Sequence, residues 1–241
     1  MIKAFFFDID DTLYSHKDAQ EYAINELSRM ANHLTNIPPV LFKKLFYEIY
    51  SKTLELNEKK GVDVFNKKDV FRKIYNLSPY SINEEIVKLF AEKYYEKILE
   101  KTIAFEDAEP TLTFLKDHNF KIGVISNGLR NIQLARLEKL NLISLFNIEH
   151  IVISEDVGIN KPHPNIFLYA FKRLQVRPQE SVMVGDDLVR DIKAAKTLDM
   201  LTIWFNRSMS DSLLNTHEVI YADFIIRNLR DIFAIVQELT N

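Results

Sequence analysis

The chain predicts an α/β fold: a mostly parallel sheet in a three-layer core, interrupted by an inserted all-helical subdomain. Three observations predict it. Short apolar runs rich in Val, Ile and Phe, without strict alternation, mark strands buried on both faces. Helical patterns lie between those runs, which is the order of a parallel sheet. One long stretch, 15–101, is helical throughout and breaks the alternation.

Taken in order, the first strand is expected at 2–7. Within the helical stretch, Ala23, Leu27, Met30 and Leu34 form one apolar stripe. Phe42, Leu45, Phe46, Ile49 and Leu56 form a second, and Ile86, Phe90, Tyr94 and Ile98 a third. Pro38-Pro39 and Ser78-Pro79 separate these segments, because proline cannot continue a helix interior. Further strands are expected at 121–125, 150–153, 181–184 and 201–205, with a weaker edge strand at 223–226. Helical spacing recurs across 129–140, in Phe167, Ala170, Phe171 and Leu174, and in Leu229, Ile232, Phe233 and Val236. The domain reading is a core of 1–14 with 102–241, carrying 15–101 as the insert.

Composition narrows the function. A formal net charge of −3 over 241 residues offers no broad basic surface for a nucleic-acid polymer. With no cysteine, disulfides, thiolate catalysis and cysteine-bound metals are excluded. The six histidines have no paired metal spacing. Neither a secretory signal nor a membrane-length apolar run is present, so a cytoplasmic location without membrane partners is expected. Oligomeric state is left open.

Four polar clusters follow four expected strands, where ligands bind in parallel α/β sheets. The first is Asp8-Ile9-Asp10-Asp11-Thr12-Leu13. Alone it also suits a strand-end turn, since Asp and Thr bond nearby backbone groups. Three adjacent acids nevertheless call for a cation or lysine. The second, Ser126-Asn127-Gly128, puts a hydroxyl and backbone N–H groups at a helix start, which suits a phosphate or a simple cap. The third, Asn160-Lys161-Pro162-His163-Pro164, fixes a lysine in a stiffened loop. The fourth, Gly185-Asp186-Asp187-Leu188-Val189-Arg190-Asp191, returns acids to a strand end. There glycine permits close approach, and Asp191 lies one turn into a helix starting near Leu188.

This ordered set resembles the haloacid dehalogenase (HAD) superfamily from end to end. Asp8-x-Asp10-x-Thr12-Leu13 looks like its first motif, Ser126 its second, Lys161 its third, and Gly185-Asp186 with Asp191 its fourth. The sequences around Ser126-Asn127-Gly128-Leu129 and 152–158 are most similar to nucleotidase and sugar-phosphatase-like members. The resemblance implies a Rossmann-like core with a helical cap between motifs one and two. It implies hydrolysis of a small phosphate ester (sugar phosphate, nucleoside monophosphate or similar) by way of an aspartyl-phosphate. Asp8 would be the nucleophile and Asp10 the acid and base. Mg2+ would be bound by the Asp8 and Asp186 carboxylates and the Asp10 backbone carbonyl. Ser126, Lys161 and the Asn127 N–H would hold the phosphoryl oxygens, with Thr12, Asp187 and Asp191 in support; Asp187 also suits a helix cap.

Other readings stay open. A phosphomutase uses the same core. A 2-haloacid dehalogenase of this type lacks the second aspartate, which is present here as Asp10. A receiver domain carries its phosphoacceptor on a later strand and has no large insert. A non-catalytic phosphate-binding protein would be expected to lack an acid. Tyr14, His16 and Lys17 are expected as solvated loop residues that could approach a substrate, and His163 as a loop residue that could touch a phosphate. Lys59, Lys60, Lys67 and Lys68 are expected on a solvent face.

Overall fold

The computed structural model describes residues 1–60, 67–77, 83–207 and 220–240, which fall into two compact units. One is Met1–Ser15 with Ile103–Asn241, and the other is His16–Thr102.

The larger unit begins with β1 (Ala4–Phe7), an unbroken apolar strand buried along its whole length. The smaller unit comes next, with α1 (His16–Thr35), α2 (Pro39–Lys60), α3 (Lys67–Leu77) and α4 (Glu84–Glu100). The chain then returns to the larger unit through α5 (Ala108–Asp117), β2 (Lys121–Ser126), α6 (Arg130–Lys139), β3 (Ile151–Ile153), α7 (Ser154–Val157) and α8 (Pro164–Leu174). It closes with β4 (Ser181–Gly185), α9 (Ala194–Lys196), β5 (Leu201–Phe205), β6 (Phe224–Ile226) and α10 (Ile232–Thr240). A π-helical turn, Leu188–Lys193, leads into α9.

All six strands pair in parallel, in the order β3-β2-β1-β4-β5-β6. The expected edge strand, β6, lies at one margin. Successive side chains of a strand face opposite ways. Ala4 and Phe6 therefore join one cluster with Ile166, Phe167, Ala170 and Phe171 of α8, and with Ala194 and Ala195 of α9. Phe6 meets Phe171 edge-on at 5.9 Å between ring centroids. Phe5 and Phe7 turn to the other side, where Phe5 meets Phe120 at 5.2 Å. α5 packs on β2, and Phe114 of α5 stacks on Phe233 of α10 at 4.1 Å. The result is helices flanking a sheet, the predicted α/β class.

Among the described residues the smaller unit holds four helices, one more than the three apolar stripes indicated. α3 contributes Val70, Phe71, Ile74 and Tyr75 to its core. Phe71 lies 5.8 Å from Phe90, 6.1 Å from Phe46 and 6.1 Å from Tyr94. In α1 the buried row is Ala19, Ala23, Leu27, Ala31 and Thr35, while Leu34 is exposed. Burial follows the i, i+4 ridge, where small alanines let a neighbouring helix approach. Lys67 is not on a solvent face: it is buried, its ammonium 4.5 Å from the Tyr50 ring centre and 5.0 Å from that of Tyr94. Cation–π attraction of this kind favours burial of the ammonium. The side chain of Leu56, those of Lys59 and Lys60, and the Ser78-Pro79 break lie outside the described residues. Among the described residues no helix is long and apolar enough to cross a membrane.

Phe6 is fully buried in a central strand, so Phe6→Ala is expected to destabilise the chain by about 3–5 kcal/mol through lost burial and a residual cavity. Chemical denaturation monitored by circular dichroism measures this as a lower midpoint.

Candidate active site

β1, β2 and β4 are adjacent in the sheet, so the residues at their carboxyl ends meet although far apart in sequence. Asp8 comes directly after β1, and its backbone N–H donates to the Val184 carbonyl at 3.0 Å. The turn after it places Asp11 in the left-handed region (φ 60°), a conformation aspartate tolerates better than most side chains. Ser126 ends β2 and is buried. Asp186 comes directly after β4, and its carbonyl accepts the Trp204 indole N–H at 2.7 Å.

Lys161 is held among these ends. Its ammonium donates to Asp8 Oδ1 at 2.7 Å, Asp191 Oδ1 at 2.6 Å and the Ile125 carbonyl at 2.7 Å. Three acceptors match the three donors of an ammonium. Burial alone would push its pKa down; the carboxylates of Asp191 and Asp8 instead hold it well above the usual lysine range. The loop is pinned by a reciprocal pair, in which Asn127 Nδ2 donates to the Lys161 carbonyl at 3.0 Å. The Lys161 N–H in turn donates to Asn127 Oδ1 at 2.8 Å. This pin is a role for the Asn127 side chain that its strand-end position did not reveal.

Asp191 is brought inward by the π-helical turn. Its carboxylate accepts from Lys161 and, at 3.2 Å, from the Asp187 N–H. Gly185 makes room for it: a Cβ there would clash with the Asp191 carboxylate and stand 2.6 Å from its Cβ. The close approach at this glycine is therefore to a side chain of the protein. Asp187 caps the turn, accepting from the N–H groups of Val189 (2.9 Å) and Arg190 (2.7 Å) and from Arg190 Nε (2.8 Å). Burial would raise its pKa, but the Arg190 guanidinium and these bonds hold it below the usual carboxylate value.

Carboxylate oxygens of Asp8, Asp186 and Asp191 lie within 4.8 Å of one another. Burial raises the pKa of Asp186, and the negative charges of Asp191, Asp8, Asp11 and Asp187 raise it further. Burial likewise raises Asp191, in part against the opposing pull of Lys161. Among the described residues nothing donates a hydrogen bond to the Asp186 carboxylate. A cluster of hard oxygen donors with one anion uncompensated suits a divalent cation such as magnesium or calcium.

Asp10 stands apart from this cluster. Tyr14 Oη donates to its Oδ1 at 2.7 Å. Arg136 Nη1 donates to both of its oxygens, at 2.8 and 2.7 Å, and Gln133 Nε2 to Oδ2 at 3.1 Å. Tyr14 is thus no solvated loop residue; it is fully buried, and burial with the nearby Asp10 carboxylate raises its pKa well above the usual phenol value. Neither Gln133 nor Arg136 was singled out by sequence reasoning, because polar residues on a helix ordinarily read as a solvent face. Their spacing with Leu137 and Leu140 (133, 136, 137, 140) is that of one buried stripe, and all four are buried.

Thr12 is fully buried, and its hydroxyl has no hydrogen-bond partner among the described residues. His163 caps α8, its Nδ1 accepting the Asn165 N–H at 3.2 Å. Asp8, Ser126, Asn127, Lys161, Asp186 and Asp191 therefore gather at three neighbouring strand ends, with Asp10 tied to α6 beside Ser126.

The chain is similar to known proteins along most of its length. Residues 2–199 match the haloacid dehalogenase-like hydrolase family. The glyceraldehyde 3-phosphate phosphatase of Methanopyrus kandleri is 31% identical over 240 residues, covering 99% of each chain. The ribulose-1,5-bisphosphate 5-phosphatase of Halopiger xanaduensis is 27% identical over 86% of each chain. Among solved structures, the magnesium-bound putative HAD-hydrolase YfnB of Bacillus subtilis superposes with a TM-score of 0.76 at 25% identity, covering 98% of each chain.

Because Gly185 leaves space for Asp191, Gly185→Ala is expected to cost about 1–3 kcal/mol of stability through overpacking. A melting curve measures the loss, and activity is expected to fall with it as Asp191 is displaced from Lys161.

Proposed function

The chain belongs to the haloacid dehalogenase-like hydrolase family and is a phosphoric monoester hydrolase; on that premise we propose that its substrates are small sugar phosphates, cleaved with Mg2+ through a phosphorylated Asp8. One observation carries the mechanism: Asp8 shares a buried lysine with Asp191 and lies beside an uncompensated Asp186, while Asp10 is held separately. Relatives named for glyceraldehyde 3-phosphate and ribulose-1,5-bisphosphate support the substrate class.

Asp8 and Asp186 would hold the cation with their carboxylates and Asp10 with its backbone carbonyl, and Asp191 would keep Lys161 in place. When bound, the cation supplies positive charge that draws the phosphoryl group in and shields the approaching anions from each other. An Asp8 oxygen attacks phosphorus and the ester P–O bond breaks, its electron pair leaving with the sugar oxygen. The Asp10 carboxyl gives that oxygen its proton. In the second half, Asp10, now a carboxylate, takes a proton from water as the water oxygen attacks phosphorus. The bond to Asp8 breaks, restoring its carboxylate and releasing inorganic phosphate. The Ser126 hydroxyl and the Asn127 N–H hold the phosphoryl oxygens, joined by Lys161, which exchanges one of its acceptors for the incoming group. Thr12 and Asp187 support the turns that carry Asp8, Asp10 and Asp191.

Purified protein is expected to release phosphate from glyceraldehyde 3-phosphate in the presence of Mg2+, to stop with EDTA and to recover when Mg2+ is restored. Asp8→Asn is expected to lower kcat by about a thousandfold or more. Turnover that survives both chelation and Asp8→Asn, or an isomerised sugar phosphate in place of free phosphate, would count against this reading.

A further inference from the structure

Asp10 has an unusually full set of donors for a carboxylate that is still partly exposed. Its side chain is 25% exposed while that of Arg136 is only 8% exposed, so the acid is reachable and its partner is not. Gln133 and Arg136 stand three residues apart on α6 and therefore share a face. Arg136 Nη1 bridges both Asp10 oxygens and also donates to Gln133 Oε1 at 3.1 Å. Gln133 Nε2 lies within reach of three acceptors: Asp10 Oδ2 (3.1 Å), Ser126 Oγ (3.1 Å) and the Asn127 carbonyl (2.9 Å). Gly128 keeps that amide close to the strand end, since a Cβ there would stand 3.3 Å from Gln133 Nε2.

Fold stability does not by itself call for this set, because apolar side chains in place of Asp10, Gln133 and Arg136 together would serve a core as well or better. Proton transfer does account for it. A carboxyl group exchanges its proton in its own plane, and rotation about Cβ–Cγ takes that plane off line. Arg136 and Gln133 hold both oxygens and stop the rotation, while the Tyr14 hydroxyl on Oδ1, which can turn to accept, leaves that oxygen able to carry the proton.

We propose that Arg136 and Gln133 are positioning residues that hold the Asp10 carboxylate in line for proton transfer, with Gln133 coupling that orientation to Ser126 and Asn127 at the phosphate end. The proposal rests on the reading of Asp10 as acid and base. Neither side chain touches the substrate; both act through Asp10.

A leaving-group comparison tests it. With a nitrophenyl phosphate the departing phenolate needs no proton, whereas a sugar alkoxide does. kcat/KM covers only the steps up to loss of the leaving group. In Arg136→Met, kcat/KM for glyceraldehyde 3-phosphate is expected to fall by about tenfold to a hundredfold, and for nitrophenyl phosphate by less than about threefold. Arg136→Lys is expected to recover part of the loss. Gln133→Leu, which removes no charge, is expected to show the same contrast at smaller size, and it carries the test if Arg136→Met fails to fold. Equal losses on the two substrates, or none, would overturn the proposal. Asp10→Asn on the same pair separates the two levels. If Asp10→Asn shows the contrast and the α6 variants do not, the positioning role alone falls. If Asp10→Asn shows no contrast, the acid role falls and the positioning role with it.

Discussion

The ammonium of Lys161 stands where three strand ends meet, and most of the site's geometry depends on how it is satisfied. Each of its protons has an acceptor, contributed by the ends of β1 and β2 and by the turn after β4. Stripping water from a lysine and two carboxylates costs several kcal/mol per ion, and such a cluster persists only where geometry and hydrogen bonds return that cost. Here they do, and the reciprocal pair with Asn127 keeps the loop from drifting. Counted as ionised, Asp8, Asp186 and Asp191 carry three negative charges and Lys161 one positive, which leaves two. A divalent cation would offset that excess.

The strand order makes this possible. With β1 between β2 and β4, residues near 8, 126 and 186 become neighbours with no long loop reaching across the sheet. Alternating side chains let β1 bury both faces while its carboxyl end is free to turn toward the site. The helical unit is inserted between Ser15 and Ile103, where Tyr14 bridges to Ala104 and the Phe105 N–H donates to the Leu13 carbonyl at 2.9 Å. Exit and return are thus stitched together inside the larger unit, next to Asp10.

Strands buried on both faces were legible because their composition is extreme; six apolar runs became six parallel strands. The acid clusters, the serine and the lysine were legible because each comes just after such a run. Side chains whose work contradicts their type were not. Gln133 and Arg136 are polar and lie on a helix, so they resemble a wet face until their spacing with Leu137 and Leu140 is noticed. Tyr14 and Lys67 read as solvent-facing, yet one is buried against Asp10 and the other among tyrosine rings. Asn127 was judged by its backbone, whereas its side chain fastens a loop 34 positions away in the sequence. α3 was missed although Val70, Phe71, Ile74 and Tyr75 keep helical spacing, because the helix is only 11 residues long and opens on Lys67 and Lys68. For Tyr14, Lys67 and Asn127 a specific partner decides the environment, and local pattern carries no record of it.

The π-helical turn at Leu188–Lys193 has its own consequence for how this sequence can diverge. The Ile192 N–H reaches back five residues to the Asp187 carbonyl, at 3.2 Å, so the turn holds one residue more than an α-helix would. The Asp191 N–H reaches back four residues to the same carbonyl at 3.0 Å, which fixes where Asp191 sits in the turn. Deleting one position between Asp187 and Asp191 would rotate the side chains beyond the deletion by roughly a quarter turn, carrying the carboxylate away from Lys161. Substitutions on the outer side of this turn are cheap, but its length is not free to vary. Descendants of this chain can change the letters of that segment far more readily than their number.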